Sequence, residues 1–179
     1  MKDRRGFTLI EIMIVMAIIG IGVTIATTNF ILWQNHYSGV GFQREFLSQF
    51  NEARTRSMAS SLQHRLLVDM NAETVTLQRG NLGTGTAFSD WANAAQPVAG
   101  SRGAGISDVV CTPAVTVPTT FAFVFNPDGQ ILIQDNTAVS TASPLIQADV
   151  HISASSVTDQ ATIRVFGWTS KARLVNGWL

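Results

Sequence analysis

The chain has 179 residues, 46% of them hydrophobic, and its 12 basic and 12 acidic side chains balance at neutral pH. This composition predicts one modest domain with an apolar segment, and a neutral chain has no general electrostatic attraction for nucleic acid. Because Cys111 is the single cysteine, an intrachain disulfide is excluded.

The N-terminus combines a basic flank with a long apolar run. Lys2, Arg4 and Arg5 precede the run, and after them the one charged side chain before Arg44 is Glu11. The residues from Ile12 to Leu32 are about 21 in number and would span ~30 Å as a helix, the thickness of a bilayer core. The flank predicts that the N-terminus stays in the cytoplasm and the rest is exported.

Glu11 is costly in this position. A carboxylate in lipid is unfavourable by about 2.5–3.5 kcal/mol at the centre of a helix, so Glu11 is expected to have a partner. A paired charge in low dielectric costs much less than an isolated one.

The Gly6–Phe7 junction with Glu11 four residues later resembles the signal of type IV pilins and type II secretion pseudopilins. The resemblance implies that a prepilin peptidase cuts after Gly6 and methylates the new amine of Phe7, while the apolar segment is kept. It also implies that Glu11 forms an assembly salt bridge with such an amine. Removal of residues 1–6 leaves a slightly acidic mature chain.

A conventional cleaved signal peptide and a plain signal anchor also begin with a basic flank and an apolar core. The cleaved signal peptide needs a small-x-small cleavage site after its core, and the candidate Ala26-Thr27-Thr28 fits poorly. A plain signal anchor would tolerate Glu11 but would not require it. The pilin-type signal is therefore favoured over both.

The helix is expected to continue beyond the membrane as an amphipathic segment. An apolar stripe recurs at intervals of three to five residues. Between the membrane and this stripe, the weak helix formers of 35–41 predict a bend or a readily stretched segment. The stripe comprises Phe42, Phe46, Phe50, Ala53 and Met58. The predicted organisation is a cleaved leader (1–6), a transmembrane and assembly helix (7–33), its amphipathic continuation (34–62) and a β-rich periplasmic head (63–179).

After about Leu62 the pattern changes to the alternation typical of strands. Glycine-rich loops are expected at 80–86 and 100–105, and a polar loop at 136–143. The predicted strands are 65–69, 74–78, 115–117, 121–125, 130–133, near 150–152, 161–166 and 171–175, the last two joined as a hairpin by 167–170.

The sequence Asn126-Pro127-Asp128-Gly129 fits a type I turn. Asp128 with Asp135 could suggest calcium, but the ligand series of an EF-hand is missing, so the turn is favoured.

Residues that commonly carry chemistry are few and scattered. We expect Cys111 to be a small buried hydrophobe, with an intermolecular bridge as the alternative. The three histidines lack the spacing of metal ligands and are expected to be structural or exposed; they are His36, His64 and His151. The sequence therefore predicts no catalytic residues, no metal site, no cofactor and no enzyme.

The long helix, the stretch 121–129 and the basic C-terminal hairpin together resemble the GspH/FimT group of minor pilins. That resemblance implies an α+β fold, in which a long N-terminal pilin helix packs on an antiparallel β-sheet or β-sandwich head. It implies a structural subunit of a type II secretion pseudopilus or a type IV pilus that primes or caps filament assembly. The location would be the bacterial inner membrane, single-pass with a periplasmic head, and then a filament.

The partners implied are other minor and major pilins or pseudopilins, the prepilin peptidase, the inner-membrane assembly platform, and membrane lipid before assembly. Two alternative functions stay open. Some relatives take up DNA through a Gly-Arg-x-Arg motif, and Ser170-Lys171-Ala172-Arg173 keeps its two bases. Lys171 and Arg173 are thus candidate weak DNA contacts, although nucleic acid is not expected to be the main partner. The second alternative is a membrane-tethered periplasmic binding module or enzyme.

Overall fold

One long helix and two antiparallel sheets make up the part of the chain that the computed structural model describes, which is residues 8–101, 103–114, 116–135, 142–154 and 159–178. The predicted leader 1–6 and the junction residues Gly6 and Phe7 lie outside these residues. The chain divides into two compact units, Met1–Gln34 and Asn35–Leu179. Helix α1 is Leu9–Ser60 and contributes residues to both. The predicted α+β class is confirmed.

The strands in the described residues are β1 His64–Asp69, β2 Thr74–Arg79, β3 Ala92–Asn93, β4 Val98–Ala99, β5 Gly105–Thr112, β6 Thr120–Phe125, β7 Ile131–Asp135, β8 Ala142–Pro144, β9 Gln147–Ser153, β10 Ala161–Phe166 and β11 Lys171–Asn176. They form sheet A, with order β3-β2-β1-β6-β7-β8 and β4 beside β2, and sheet B, with order β11-β10-β9-β5. A single-turn 3₁₀ helix, Phe88–Asp90, lies between β2 and β3.

The second unit has a core that the C-terminal half of α1 shares with the inner faces of both sheets. Phe50 is fully buried, and its ring centroid lies 4.8 Å from that of Phe125 on β6. Edge-to-face aromatic contacts of this kind add to the stabilisation gained from burying the rings. The helix stripe predicted from the sequence is therefore the stripe that faces the sheets, with one exception.

The exception is Met58, which was predicted to be the last member of the stripe but is 43% exposed. Its place in the core is taken by Ser57, which is fully buried and donates to the carbonyl oxygen of Phe125 at 2.8 Å. A serine was not expected there because its hydroxyl is costly to bury without a partner. The carbonyl at the end of β6 supplies that partner.

Residues 35–41 do not break the helix, since α1 runs through them. Gly39 is buried, and a Cβ at this position would lie 3.2 Å from the Cβ of Ala154. Ser38 Oγ donates to the carbonyl oxygen of Ser101 at 2.6 Å. These tertiary contacts stabilise the helix in a segment whose intrinsic helix propensity is weak. The prediction of a bend considered only that propensity and did not include the contacts.

Most predicted strands are found, but the predicted strand 115–117 is wrong. Thr116 and Val117 carry no strand, and Val115 lies outside the described residues. The strand of this region is instead β5, which pairs with β9. Its register shifts between Ile106 and Asp108, and this bulge interrupts the period-two alternation on which the prediction relied.

The predicted loop 136–143 is also shorter than expected at its C-terminal end. Residues 136–141 lie outside the described residues, and the last two positions, Ala142 and Ser143, belong to β8. A β-turn follows β6 at the predicted position, because the amide of Gly129 donates to the carbonyl oxygen of Asn126 at 3.0 Å. The side chain of Asp128 accepts from the amide of Gln130 at 2.9 Å and so contributes to the turn.

Candidate functional site

Thr8 and Glu11 define the start of α1. The amide of Glu11 donates to Thr8 Oγ1 at 3.3 Å, and the amide of Ile12 donates to the Thr8 carbonyl oxygen at 3.3 Å. Thr8 is thus the N-cap, three residues before a glutamate, as in a capping box. Glu11 lies in the first turn of the helix, where the macrodipole favours a negative charge. The first turn of the helix therefore holds the Glu11 side chain at its N-terminal end without supplying a counter-ion.

The surface of α1 around and beyond Glu11 is apolar and exposed. Its large side chains are between 46% and 79% exposed in the first unit. In the described residues, α1 is the one helix long and apolar enough to cross a membrane. Side chains of this kind need lipid or other helices as neighbours, because soluble proteins rarely expose such extended apolar surfaces. They are Leu9, Ile10, Ile12, Met13, Ile14, Val15, Met16, Ile18, Ile19, Ile21, Val23, Ile25, Phe30, Ile31, Leu32 and Trp33.

The threonine hydroxyls of this segment are satisfied within the helix. Thr24 Oγ1 donates to the carbonyl oxygen of Gly20 at 2.9 Å, and Thr27 Oγ1 donates to that of Val23 at 2.7 Å. Bonding to the carbonyl four residues earlier lets a hydroxyl enter an apolar environment at low cost. Glu11 is then the one charged side chain in the described part of this unit, and its carboxylate is the group that needs an external partner.

Comparison with known families bears directly on this N-terminal segment. Residues 1–27 match the family model described as the prokaryotic N-terminal methylation motif. The matched residues include Gly6, Phe7 and Glu11 and the apolar run as far as Thr27.

The match supports a type IV pilin-like protein. Type IV pilin-like proteins are structural, and the motif implies processing by a prepilin peptidase and assembly with other pilins. The apolar helix near the N-terminus fits a membrane-anchored pilin. No curated protein and no solved structure matches the chain.

The predicted DNA contacts, Lys171 and Arg173, lie on β11, one of the edge strands of sheet B. Both are exposed. Their neighbour Ser170, which stands where the DNA-uptake motif has glycine, has a positive φ of 48° and is buried. Its Oγ donates to the carbonyl oxygen of Gly129, and this bond helps to hold a conformation that glycine adopts without strain. The serine at this position therefore has a backbone conformation that glycine favours.

An ion pair between Arg164 and Asp149 lies on the strands beside Arg173. Arg173 pairs in register with Arg164 of β10. Arg164 binds both carboxylate oxygens of Asp149 on β9, at 2.7 and 3.0 Å. Because Asp149 neutralises Arg164 in this bidentate pair, Arg164 contributes little to binding an anionic ligand. Lys171 and Arg173 are the two exposed cations of β10 and β11 that form no ion pair within the described residues.

Several aromatic side chains of the same region were not singled out from the sequence. Trp168 is 67% exposed in the turn between β10 and β11. Trp178 is 50% exposed, its ring stacks on that of His151 at 5.5 Å, and its Nε1 donates to the carbonyl oxygen of Ile152 at 3.3 Å. A tryptophan in a polar segment near the C-terminus is a signal of a contact surface that the sequence contained. The sequence positions of Trp168 and Trp178 do not by themselves indicate that the two lie on the same sheet.

Of the other histidines, His36 is exposed and its Nδ1 lies 2.6 Å from a carboxylate oxygen of Asp159. His64 is buried, and desolvation lowers its pKa, as do the charges of Arg56 and Arg79, while its hydrogen bond to the Leu62 carbonyl oxygen acts in the opposite direction. Within the described ranges, no group of three or more His, Cys, Asp or Glu residues could hold a metal ion. These histidines therefore form contacts within the head instead of a shared site.

A buried arginine lies on the face of sheet A opposite the core. Arg65 donates from Nε to Gln78 Oε1 at 2.7 Å, and its guanidinium carbon is 4.6 Å from the ring centroid of Trp91. Burial lowers the pKa of Arg65 to about 10. Because it binds amides and an aromatic ring, this cation joins β1 to β2 and to the segment before β3, and we assign it a structural role.

Cys111 is buried on the core face of β5, as expected from the sequence. Burial raises the pKa of its thiol to about 11, and the charge of Asp108 adds to the effect. The thiolate is the reactive form, so Cys111 in the folded head should be almost inert at neutral pH.

Alkylation of the detergent-solubilised protein by iodoacetamide tests this expectation. At pH 8 we expect the native protein to react at least about tenfold more slowly than the same protein in guanidinium chloride. Equal rates in the two solvents would show that Cys111 is accessible.

The same thiol makes the free energy of unfolding depend on pH. The folded thiol keeps its proton between pH 9 and about 11, whereas the unfolded thiol loses it, so the free energy of unfolding should fall as the pH rises through this window.

Proposed function

We propose that this type IV pilin-like protein is a minor pilin or pseudopilin, a structural subunit of a type II secretion pseudopilus or a type IV pilus. Its function would be to prime or cap filament assembly with other minor and major subunits. The observation that carries the proposal is the combination of a methylation motif with a carboxylate in the first turn of an exposed apolar helix. A catalytic subunit would have no need of this arrangement.

In the proposed pathway the chain first enters the inner membrane with its N-terminus in the cytoplasm. A prepilin peptidase removes residues 1–6 and methylates the amine of Phe7. The assembly platform then extracts the subunit, and Glu11 pairs with the cationic amine of a neighbouring subunit. A charge pair of this kind in low dielectric fixes the axial register, because any other register would leave the carboxylate unpaired.

The organisation predicted from the sequence belongs to the same proposal. Residues 7–33 would be held in lipid before assembly and by other helices afterwards. Residues 34–62 would join them to the head, and 63–179 would be the periplasmic part. The compact second unit supports this assignment, because it has its own hydrophobic core.

The structural subunit is favoured over the DNA-uptake alternative by the charges near the C-terminus. Lys171 and Arg173 are exposed and could contact phosphate groups. Two cations release only about two counterions from DNA, so binding would be weak and sensitive to salt. A duplex-binding role would require further exposed cations beside them, and the adjacent arginine, Arg164, is only partly exposed and is already paired with Asp149.

The proposal is tested by the N-terminus of the mature protein. The full chain is expressed in membranes with an active prepilin peptidase and, as a control, with a catalytically inactive one. With the active enzyme, intact-mass spectrometry should show the loss of residues 1–6 and the gain of one methyl group on Phe7. A chain that keeps Met1, or that begins downstream of the apolar segment, would contradict the proposal.

A further inference from the structure

The outer face of sheet B, which points away from the core, carries a set of exposed apolar side chains. Alternation along β9 places Ala148, Val150 and Ile152 in the core. The residues between them, such as Asp149 and His151, therefore point outward, and their cross-strand partners do the same. The exposed apolar residues on or beside this face are Val110, Ile146, Phe166, Trp168 and Trp178.

Three of these residues are brought together by the backbone at one end of the sheet. The amide of Gly167 donates to the carbonyl oxygen of Ile146 at 2.9 Å, so Phe166 and Trp168 flank Ile146. Ile146 is 52% exposed and Phe166 is 37% exposed. The three positions form an apolar cluster by the proximity of their backbones, and exposed apolar residues grouped in this way are typical of protein contact surfaces.

A basic edge borders the cluster. Lys171 pairs in register with Phe166, and Arg173 follows two residues later on the same face. Neither forms an ion pair within the described residues, whereas Arg164 is neutralised by Asp149. Aromatic side chains beside arginine are the combination most often found at the energetic centre of protein interfaces.

The charges of this surface restrict what can cover it. A two-fold contact centred on the basic edge would bring Lys171 and Arg173 of both copies together, which is unfavourable. The exposed carboxylate of the same face, Asp108, lies on β5 at the opposite edge of the sheet, away from the aromatic cluster. A nucleic acid would meet only the two exposed cations, Lys171 and Arg173. A protein surface with carboxylates around an apolar residue would complement both the aromatic cluster and the basic edge.

We propose that the outer face of sheet B is the docking site for the head of a different subunit, which presents acidic side chains to Lys171 and Arg173 and an apolar side chain to the cluster of Ile146, Phe166 and Trp168. This inference rests on the proposed function, because it requires that the protein assembles with other pilin-like subunits. It assigns the surface through which the head would select one neighbour.

The test places the photo-crosslinking residue benzoylphenylalanine at Trp168 of the full chain in cells that assemble the filament. A second variant carries it at Phe88, which is 40% exposed on the 3₁₀ helix beside sheet A and serves as the matched control. Irradiation should give a strong adduct from position 168 and little from position 88. Mass spectrometry should identify the captured protein as one with its own N-terminal methylation motif and an acidic residue near the crosslinked peptide.

The charge requirement is tested in the same background. Lys171→Glu combined with Arg173→Glu should reduce the adduct by about five- to tenfold, since two exposed ion pairs are lost and two like-charge contacts are created. Replacing the partner's acidic residues with lysine should restore it. An adduct that is unaffected by the double charge reversal would overturn the proposal.

The remaining outcomes identify the alternative occupants. An adduct that nuclease removes would replace the protein partner with nucleic acid, and an adduct containing only peptides of this chain would replace it with a second copy. The N-terminal mass of each variant is measured in parallel. If the chain is processed and enters filaments but position 168 gives no adduct, the docking inference fails and the proposed function stands; if the chain is unprocessed, the proposed function fails.

Discussion

Glu11→Ala should be inserted into the membrane and processed normally, yet its incorporation into filaments should fall at least about tenfold. The apolar run that drives insertion is untouched by this change. What is lost is the carboxylate that would neutralise a neighbour's N-terminal amine within an apolar helix bundle. Removing one partner of a buried ion pair typically costs about 3–5 kcal/mol, because the other charge is left uncompensated. The measurement is the amount of protein in sheared filaments relative to that in the membrane.

Two further substitutions separate charge from shape in this experiment. Glu11→Gln keeps the size of the side chain but removes its charge, and it should behave like Glu11→Ala. Met13→Ala truncates an exposed apolar side chain on the same helix without changing any charge, so it should lose much less incorporation than Glu11→Ala. If Glu11→Gln assembled normally, hydrogen bonding rather than charge pairing would be the role of Glu11. If Glu11→Ala assembled normally, the pairing argument would be wrong.

The sequence predicted the helix and most strands because hydrophobic periodicity reports burial directly. Phe42, Phe46 and Phe50 follow the helical period and are all buried on the face that meets the sheets. The strands at 121–125 and 161–166 alternate or are continuously apolar, and both were found within a residue of their observed bounds. In these segments local pattern and tertiary packing agree, which is the condition under which such predictions succeed.

Where the prediction failed, the local sequence pattern did not report the packing or strand pairing of the segment. Ser57 is polar but can be buried because its hydroxyl donates a hydrogen bond to the Phe125 carbonyl oxygen. β5 was missed because a bulge breaks its alternation. Gly39 lies in a continuous helix because its lack of a side chain allows close approach to Ala154. None of these partners is close in sequence, so no window-based pattern could include them.

The two candidate sites differ in what the sequence could reveal. Glu11 was identifiable because one charge within a long apolar run is anomalous on physical grounds alone. The docking surface on sheet B was not, because Ile146, Phe166 and Trp168 come from the turn before β9, the end of β10 and the turn after it. Their proximity depends on the pairing of β9 with β10 and on the bond between Gly167 and Ile146. Such a surface becomes visible only once strand order is known.

Gly6→Ala should leave the chain in the membrane as an unprocessed precursor, with mature protein reduced to below about a tenth of the wild-type amount. Glycine has no Cβ, so the backbone before the scissile bond can approach the catalytic groups of a peptidase closely, and a methyl group at this position would crowd them. Without cleavage there is no free amine on Phe7 for Glu11 to neutralise. The basic residues Lys2, Arg4 and Arg5 would also remain, and their charges oppose extraction of the N-terminus into the apolar bundle.

Gly20→Ala is the matched control for this variant. It adds the same methyl group in the apolar helix, away from the cleavage junction, and a Cβ at Gly20 has no neighbour within 4 Å outside its own stretch of helix. Intact mass should therefore show normal loss of residues 1–6 for Gly20→Ala and retention of Met1 for Gly6→Ala. Both Gly6→Ala and Glu11→Ala should be missing from filaments, but only the first should keep its leader. Normal processing of Gly6→Ala would mean that cleavage, if it occurs, is not directed by the Gly6–Phe7 junction.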